Sequence, residues 1–263
     1  MRKKTRSNSK AAERLGEARV MNCGEIAIIV NYSCYNDITV QFKKTGELVK
    51  TRYLCFKNGN VKSHFTPSVY GIGYLGYEKA VDENGETIKS YLVWHSMLER
   101  CYSDECQKKY PTYKGCTVCK EWHNYSNFKK WFDNNYYDVD GETMCLDKDI
   151  LYKGNKIYSP DTCVFVPQNI NTLFTKRNKI RGKYPIGVCF NKDKNKYQSQ
   201  CNTFYNGKSK LKGLGYYNTI EDAFEVYKKF KEANIKQIAD EYKDKIPDKL
   251  YEAMYNYKVE ITD

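Results

Sequence analysis

The chain has 263 residues, with 44 Lys or Arg against 32 Asp or Glu and a formal net charge of +12 at pH 7. Its length allows two or three small domains, and its 25 tyrosines predict cores that are rich in aromatic rings. No apolar run approaches the roughly 18 residues that a membrane span needs. The positive charge favours nucleic acid over a membrane as the partner, because no basic amphipathic helix stands out.

Residues 1–18 are basic and rich in Ser and Ala, and they contain no apolar segment of the kind found in secretory signals. We therefore predict a flexible basic arm over these residues and a cytoplasmic protein. The eleven cysteines are odd in number and most have apolar neighbours, which indicates buried, reduced thiols.

A small curled sheet or β-barrel is predicted over residues 19–70, where short strand-forming runs are separated by turns. Strands are expected over residues 25–31, 38–42 and 48–56, with a last short strand from Val61. Such a module is structural, protein-binding or nucleic-acid-binding, and the sequence does not choose between these roles.

Two amphipathic helices are predicted next, over residues 90–102 and 124–131. Each places aromatic and aliphatic side chains along one stripe, which is typical of a helix that packs into a core. Ser90 is the expected N-cap of the first helix.

Between these helices, Cys116, Cys119 and His123 have the spacing of zinc ligands. Cys101 or Cys106 could supply a fourth ligand, but no second tight pair of Cys or His accompanies the three. The segment is also typical of a short strand that enters a helix, so we expect no structural Zn²⁺.

The stretch 145–174 predicts a strand, a loop, a second strand and the start of a helix. Strands are expected over residues 144–147 and 162–166, and the helix over residues 169–177. The loop between the strands contains Gly, Asn and Pro, which are turn-forming residues.

Acidic and amide side chains lie at the two ends of this unit. Asp147 and Asp149 end the first strand, and Asn169 and Asn171 enter the helix. A metal-dependent nuclease needs such groups to meet at one place. The alternative is that both aspartates cap a turn or pair with lysines of the loop.

The last third of the chain predicts a three-stranded antiparallel sheet packed on a helix. The strands are expected over residues 186–190, 196–202 and 209–216, and two helices over residues 219–240 and 248–255. Thr219, followed three residues later by Asp222, is typical of a helix start.

Positive charge is concentrated between residues 176 and 212, where eleven Lys or Arg accompany one acid, for a net charge of +10. Solvated loops alone rarely concentrate charge in this way, so we assign these side chains to phosphate contacts. They are Lys176, Arg177, Lys179, Arg181, Lys183, Lys192, Lys194, Lys196, Lys208, Lys210 and Lys212.

Two stretches of the chain carry a resemblance to known families. The first contains Trp94-x-x-Met97-x-x-Arg100, Val118-Cys119-x-x-Trp122, Leu146-Asp-Lys-Asp-Ile150 and Tyr158-Ser-Pro-x-Thr-Cys163. In order and spacing it resembles phage-encoded HNH homing-endonuclease-like proteins. The second contains Gly187-Val, Lys196-Tyr, Leu214-Gly-Tyr-Tyr-Asn-Thr219 and Ala223-Phe. It is similar to the DNA-binding domain of the Apetala/ethylene-response-factor type, and together the two resemblances cover roughly residues 90–245.

The first resemblance implies a ββα-metal finger that cleaves DNA with Mg²⁺ or Mn²⁺. In that family an Asp binds the divalent metal, and an Asn or His of the helix gives the second metal contact. The residues at those positions here are Asp147 and Asn171, with Asn169 as the alternative to Asn171. A loop Asn that orients the general base is expected near Thr162.

The position of the general base departs from the family. Lys148 stands where a His is expected, and an ordinary lysine is protonated at pH 7 and cannot take a proton from water. Asp149, two residues after Asp147, lies on the same side of the strand and is either a second metal ligand or the base.

The second resemblance implies that the three-stranded sheet lies in the major groove of double-stranded DNA. Period-two alternation turns Tyr197, Ser199 and Cys201 towards the helix. Gln198 and Gln200 then face outward and could read adenine edges, while the lysines position the sheet on phosphates. A solvated polar face is the alternative.

These inferences predict an α+β multidomain protein. Its expected parts are an arm (1–18), a small β-barrel (19–70), an HNH-like ββα domain (71–180) and a sheet-plus-helix DNA-binding domain (181–263). The expected function is metal-dependent cleavage or nicking of double-stranded DNA, in the cytoplasm of a bacterial host if a phage encodes the chain. The alternative is a degenerate HNH scaffold that binds DNA or a host protein without cleaving.

Overall fold

The computed structural model describes residues 11–175, 182–205 and 208–263, without the side chains of 204–205 and 208–209. Over these residues the chain is a mixed α+β protein with several antiparallel sheets. It divides into two compact units, Met1–Asn134 and Asn135–Asp263. None of the helices in the described ranges is long and apolar enough to cross a membrane.

A four-stranded antiparallel sheet begins the first unit, with its strands in the order β1–β2–β3–β4. These strands are β1 (Ala18–Val20), β2 (Ile26–Cys34), β3 (Asp37–Phe42) and β4 (Leu48–Thr51). Apolar residues alternate along β2 and β3, so one face of the sheet forms a core around Ile29, Val40 and Phe42, which are all fully buried.

This sheet is open, so the predicted closed barrel is wrong. Among the described residues, β1 pairs with β2 and β4 pairs with β3, which leaves both outer strands as edges. The chain leaves the sheet at Thr51 and forms helix α1 (Tyr53–Lys57), where the sequence predicted strand up to residue 56. An apolar run of this length does not distinguish helix from strand by its period. Val61 is buried in the core but forms no strand.

The remaining elements of the first unit are mostly helical. They are α2 (Lys89–Tyr102), α3 (Asp104–Lys109), β5 (Thr117–Val118) and α4 (Tyr125–Asn135), with short 3-10 turns at Pro111–Tyr113 and Lys120–His123. The predicted aromatic stripes are confirmed as core, because Trp94, Tyr125 and Phe128 are fully buried. Ser90 is not the N-cap of α2, which Ile88 occupies; instead the Ser90 hydroxyl lies 2.7 Å from the hydroxyl of Tyr125.

The second unit begins with the predicted order of strand, loop, strand and helix, which is confirmed. Strands β6 (Met144–Asp147) and β8 (Val164–Pro167) pair antiparallel, and helix α5 (Gln168–Leu173) follows directly. The short strand β7 (Ile157–Tyr158) lies in the connection. We call residues 144–173 the ββα unit.

The three-stranded sheet is also confirmed, with its strands in the order β11–β10–β9. Its elements are β9 (Val188–Asn191), β10 (Lys196–Tyr205) and β11 (Lys208–Tyr217), followed by helices α6 (Ile220–Tyr242) and α7 (Asp248–Tyr255). The Thr219 hydroxyl accepts a hydrogen bond from the backbone N–H of Asp222 at 3.1 Å, so the predicted cap of α6 is present.

Helix α6 belongs to two cores. Its first half packs against the three-stranded sheet through Ala223 and Tyr227. Its second half packs against the ββα unit, where Ile235 and Ile238 share a core with Val166 of β8. The predicted boundary at residue 180 therefore separates two substructures that share one 23-residue helix.

Candidate functional site

The face of the three-stranded sheet that points away from α6, which we call the outer face, carries the side chains that period-two alternation predicted to lie there. Ser199 and Cys201 are buried against α6, with Tyr197 packed beside them, so the inward half of the pattern is confirmed. The residues between them, Gln198 and Gln200, therefore point to the opposite face, and both are partly exposed.

Strand pairing fixes which side chains neighbour the two glutamines. Gln198 lies opposite Cys189 of β9 and opposite Tyr216 of β11, while Gln200 lies opposite Gly213. Side chains directly opposite in an antiparallel pair share one face of the sheet. Tyr216, which is 38% exposed, thus stands on the outer face, a position that the sequence analysis did not single out.

The turn between β9 and β10 adds exposed lysines at the edge of this outer face. Lys192, Lys194 and Lys196 are all exposed. Lys194 Nζ lies 3.7 Å from the ring centroid of Tyr216, a cation–π contact that holds the ammonium near the outer face. Lys196 also alternates in phase with Gln198, so its side chain leaves β10 on the same side.

The lysines of β11 face the other way. Lys212 lies opposite the buried Cys201, and its Nζ is 4.8 Å from the ring centroid of Phe230 on α6. Lys210 follows the same alternation, so its side chain also leaves the sheet on the helix side. The lysines predicted to contact phosphate therefore lie on both faces of the sheet. Of Lys196, Lys210 and Lys212, only Lys196 leaves the sheet on the face that carries the two glutamines.

Several predicted contact residues cannot be placed on this surface. Lys183 is exposed, with Nζ 5.3 Å from the ring centroid of its neighbour Tyr184. The other positions lie outside the described residues or side chains, namely Lys176, Arg177, Lys179, Arg181 and Lys208.

The carboxylate of Asp147 caps the loop that follows β6. Its Oδ1 accepts hydrogen bonds from the backbone N–H groups of Asp149, at 2.8 Å, and Ile150, at 2.7 Å. Capping of a turn is the role that was predicted for this aspartate as the alternative to metal binding. Because both bonds go to Oδ1, Oδ2 is the atom that would bind a metal.

Burial and the nearby carboxylate of Asp149 raise the pKa of Asp147 to about 6. The two backbone N–H groups and the ammonium of Lys148 act in the opposite direction, but they do not offset the loss of hydration. A cation close to this carboxyl would stabilise its charged form and lower the pKa.

Lys148 is buried, with 7% of its surface exposed. Its Nζ lies 3.2 Å from Oδ2 of Asp149 and 5.8 Å from the ring centroid of Tyr158. At this distance the Lys148 ammonium acts as a hydrogen-bond donor to the carboxylate. Asp149, whose side chain is 48% exposed, is the more accessible of the two groups.

Near Thr162, where the resemblance places a loop asparagine, the connection between the strands is held together by Asn155 and by Thr162 itself. The side-chain Nδ2 of Asn155 donates to the backbone carbonyl oxygens of Lys148 and Ile157, each at 2.7 Å. Thr162 uses its hydroxyl to donate to the carbonyl of Ile157, also at 2.7 Å. The pair Gly154-Asn155 between the two strands was the available signal, since both residue types favour tight turns.

The two asparagines of α5 have different surroundings. The side chain of Asn169 hydrogen-bonds Tyr242 of α6, which also donates to Glu142, so Asn169 is part of a structural network. The backbone carbonyl of Asn171 accepts from the N–H of Phe174 at 3.2 Å and from the hydroxyl of Thr175 at 3.4 Å.

The three residues that have the spacing of zinc ligands do not come together as a metal site. Cys116 is buried with Sγ 4.0 Å from the carbonyl of Thr112, and Nε2 of His123 lies 3.1 Å from the carbonyl of Val118. Throughout the described ranges, no group of three or more His, Cys, Asp or Glu side chains is placed to hold a metal ion. Cys119 and the acids of the ββα unit are therefore not members of any such group.

We compared the chain with protein-family models, with curated proteins and with solved structures, and none of the three comparisons gave a match.

Proposed function

We propose that this chain binds double-stranded DNA in a sequence-dependent manner through the outer face of the sheet β9–β11. The observation that carries the proposal is the outward pair Gln198 and Gln200, backed by buried Ser199 and Cys201. A two-stranded or three-stranded β-surface fits the major groove, and a glutamine amide can pair with N6 and N7 of adenine in two hydrogen bonds.

The charge around this face supports a polyanionic ligand. Lys192, Lys194 and Lys196 stand exposed at one end of it, and the stretch 176–212 carries a net charge of +10. Lysines at the edge would contact phosphates and fix the position of the protein along the DNA, while the glutamines in the middle would read bases.

A selection from a random-sequence duplex library tests this proposal. The full chain is expected to enrich a motif that contains A·T pairs, and the double variant Gln198→Ala, Gln200→Ala is expected to lose that preference while it keeps salt-sensitive affinity for DNA. Gln41→Ala, an exposed glutamine of the other sheet, is the matched control. Equal enrichment by the double variant and the wild type would contradict the proposal.

Metal-dependent strand cleavage at the ββα unit is the second candidate function, and it corresponds to the HNH resemblance. It is favoured by Asp147 at the end of β6, opposite Val164, and by the Asn155 amide that holds the carbonyl of Lys148. Asp147 and Asn171 would hold Mg²⁺ or Mn²⁺, and the metal would neutralise the departing oxygen. Asp149, whose side chain is 48% exposed, would be the base or a second metal ligand.

Nicking of supercoiled plasmid in Mg²⁺ or Mn²⁺ tests this second function. Asp147→Asn keeps an acceptor for the two backbone N–H groups but removes the charge, so it is expected to abolish nicking without unfolding the chain. Asp161→Asn changes an exposed acid of the same unit and is expected to nick normally. A wild-type protein that binds DNA but nicks nothing with either metal would leave a non-cleaving DNA-binding scaffold.

A further inference from the structure

The outer face of the sheet β9–β11 has a gap in its cover of side chains. Gly213 is exposed in the interior of β11 and lies directly opposite Gln200. Apart from its own neighbours in the chain, the one described atom within 4 Å of a Cβ built at Gly213 is Nε2 of Gln198, at 3.9 Å. The bare backbone of Gly213 therefore lies opposite Gln200 and within van der Waals reach of the Gln198 amide.

Neither the backbone conformation nor the neighbouring atoms require glycine at this position. Gly213 and Gly215 flank the irregularity in strand pairing between Ser199 and Gln200, and of the two only Gly215 has a positive φ, of +127°. Gly187 is needed because a Cβ there would collide with the ring of Tyr227. Gly213 has neither a positive φ nor a close neighbour, so a β-branched residue would fit and would favour the strand.

A glycine inside a strand weakens it, and it often marks a place where a ligand comes close to the backbone. We propose that Gly213 forms a notch that lets the edge of an A·T-containing base step approach the sheet closely enough for Gln198 and Gln200 to reach it together. This inference rests on the proposed function and names the specificity-determining feature of that face.

A side chain at residue 213 would rise from the sheet beside both glutamines, because directly opposite and diagonal neighbours on one face lie within reach of each other. It would fit without displacing the Gln198 amide, but it would occupy the open space above the glycine and hold the floor of the major groove away from the strand.

Gly213→Val tests the notch, with the duplex enriched by the wild-type chain as the probe. The variant is expected to melt at the same temperature as the wild type or higher, and to bind the duplex roughly tenfold more weakly or worse, the order of one lost bidentate base contact. Gly213→Ala, with a smaller side chain, is expected to fall between the two. Gln41→Val adds the same side chain to an exposed strand position of the other sheet and should bind as the wild type does.

The outcomes separate this inference from the proposed function. Wild-type affinity in both Gly213 variants, together with weakened binding in Gln198→Ala, would overturn the notch and leave the proposed function standing. A wild-type chain that enriches no duplex at all would overturn the proposed function. Stable Gly213 variants that bind weakly, in order of side-chain size, would support the notch.

Discussion

Opposing effects act on the pKa of Asp147. Its carboxylate accepts two backbone N–H groups, which favours the charged form, yet burial and Asp149 raise its pKa to about 6. The sequence identified the residue, because an acid that ends an apolar strand is conspicuous. It did not reveal Asn155, since the bond from Asn155 to the carbonyl of Lys148 depends on how the loop closes. The outward glutamines were predictable because period-two alternation along β10 places them between the buried Ser199 and Cys201.

The raised pKa of Asp147 predicts a pH-dependent stability. A carboxyl whose pKa is higher in the folded state than in the unfolded state contributes stability below its unfolded value, near 3.8, and that contribution is lost as the pH rises through about 6. Asp147→Asn should therefore match the wild type in urea unfolding at pH 4. At pH 7.5 it should be more stable by on the order of 1–3 kcal/mol.

The exposed acid Asp161 supplies the control for this comparison, because Asp161→Asn should leave the difference between the two pH values unchanged. An Asp147→Asn variant that is less stable than the wild type at pH 7.5 would mean that the two N–H bonds outweigh the cost of burying the charge.

Helix α6 is the element that joins the ββα unit to the three-stranded sheet. It is about 35 Å long at 1.5 Å per residue, and its two halves have different partners. The sequence predicted the helix and its cap from the apolar stripe and from Thr219. It did not predict the division of partners, because a stripe shows which side of a helix is buried and not what it packs against. The strand predicted over 48–56 ends as helix α1 for a different reason, since a short apolar run does not distinguish helix from strand by its period.

A shared helix predicts that the ββα unit and the sheet unfold together. Ile235 is fully buried in the core with the ββα unit, so Ile235→Ala should destabilise the fold by about 2–5 kcal/mol. Amide hydrogen exchange should record the same loss of protection in β8 and in β10, because neither keeps its core without α6.

Lys229→Ala, on the exposed side of α6, is the control and should change stability by no more than about 0.5 kcal/mol. Loss of protection confined to β8, with β10 unchanged, would show that the two substructures unfold independently and that α6 does not couple them.

The net charge of the whole molecule can be read directly from the sequence, but the positions of the charged side chains in the fold cannot. The net charge of +12 and its concentration over residues 176–212 require only counting. Strand register decides that Lys196 shares a face with Gln198, whereas Lys210 and Lys212 leave on the side of α6. The division follows from pairing between strands, which is a long-range property that local alternation on one strand does not fix.

The salt dependence of DNA binding tests the central claim most directly. Binding of the full chain to a duplex, measured by fluorescence anisotropy across a range of salt concentrations, should weaken steeply and linearly on logarithmic axes. The triple variant Lys192→Ala, Lys194→Ala, Lys196→Ala should lower the slope by about three, one for each lost phosphate contact. The control removes three exposed lysines of the first unit, Lys43, Lys44 and Lys50, and should keep the wild-type slope. An affinity that does not change with salt, or a triple variant with the wild-type slope, would contradict a DNA-binding face at β9–β11.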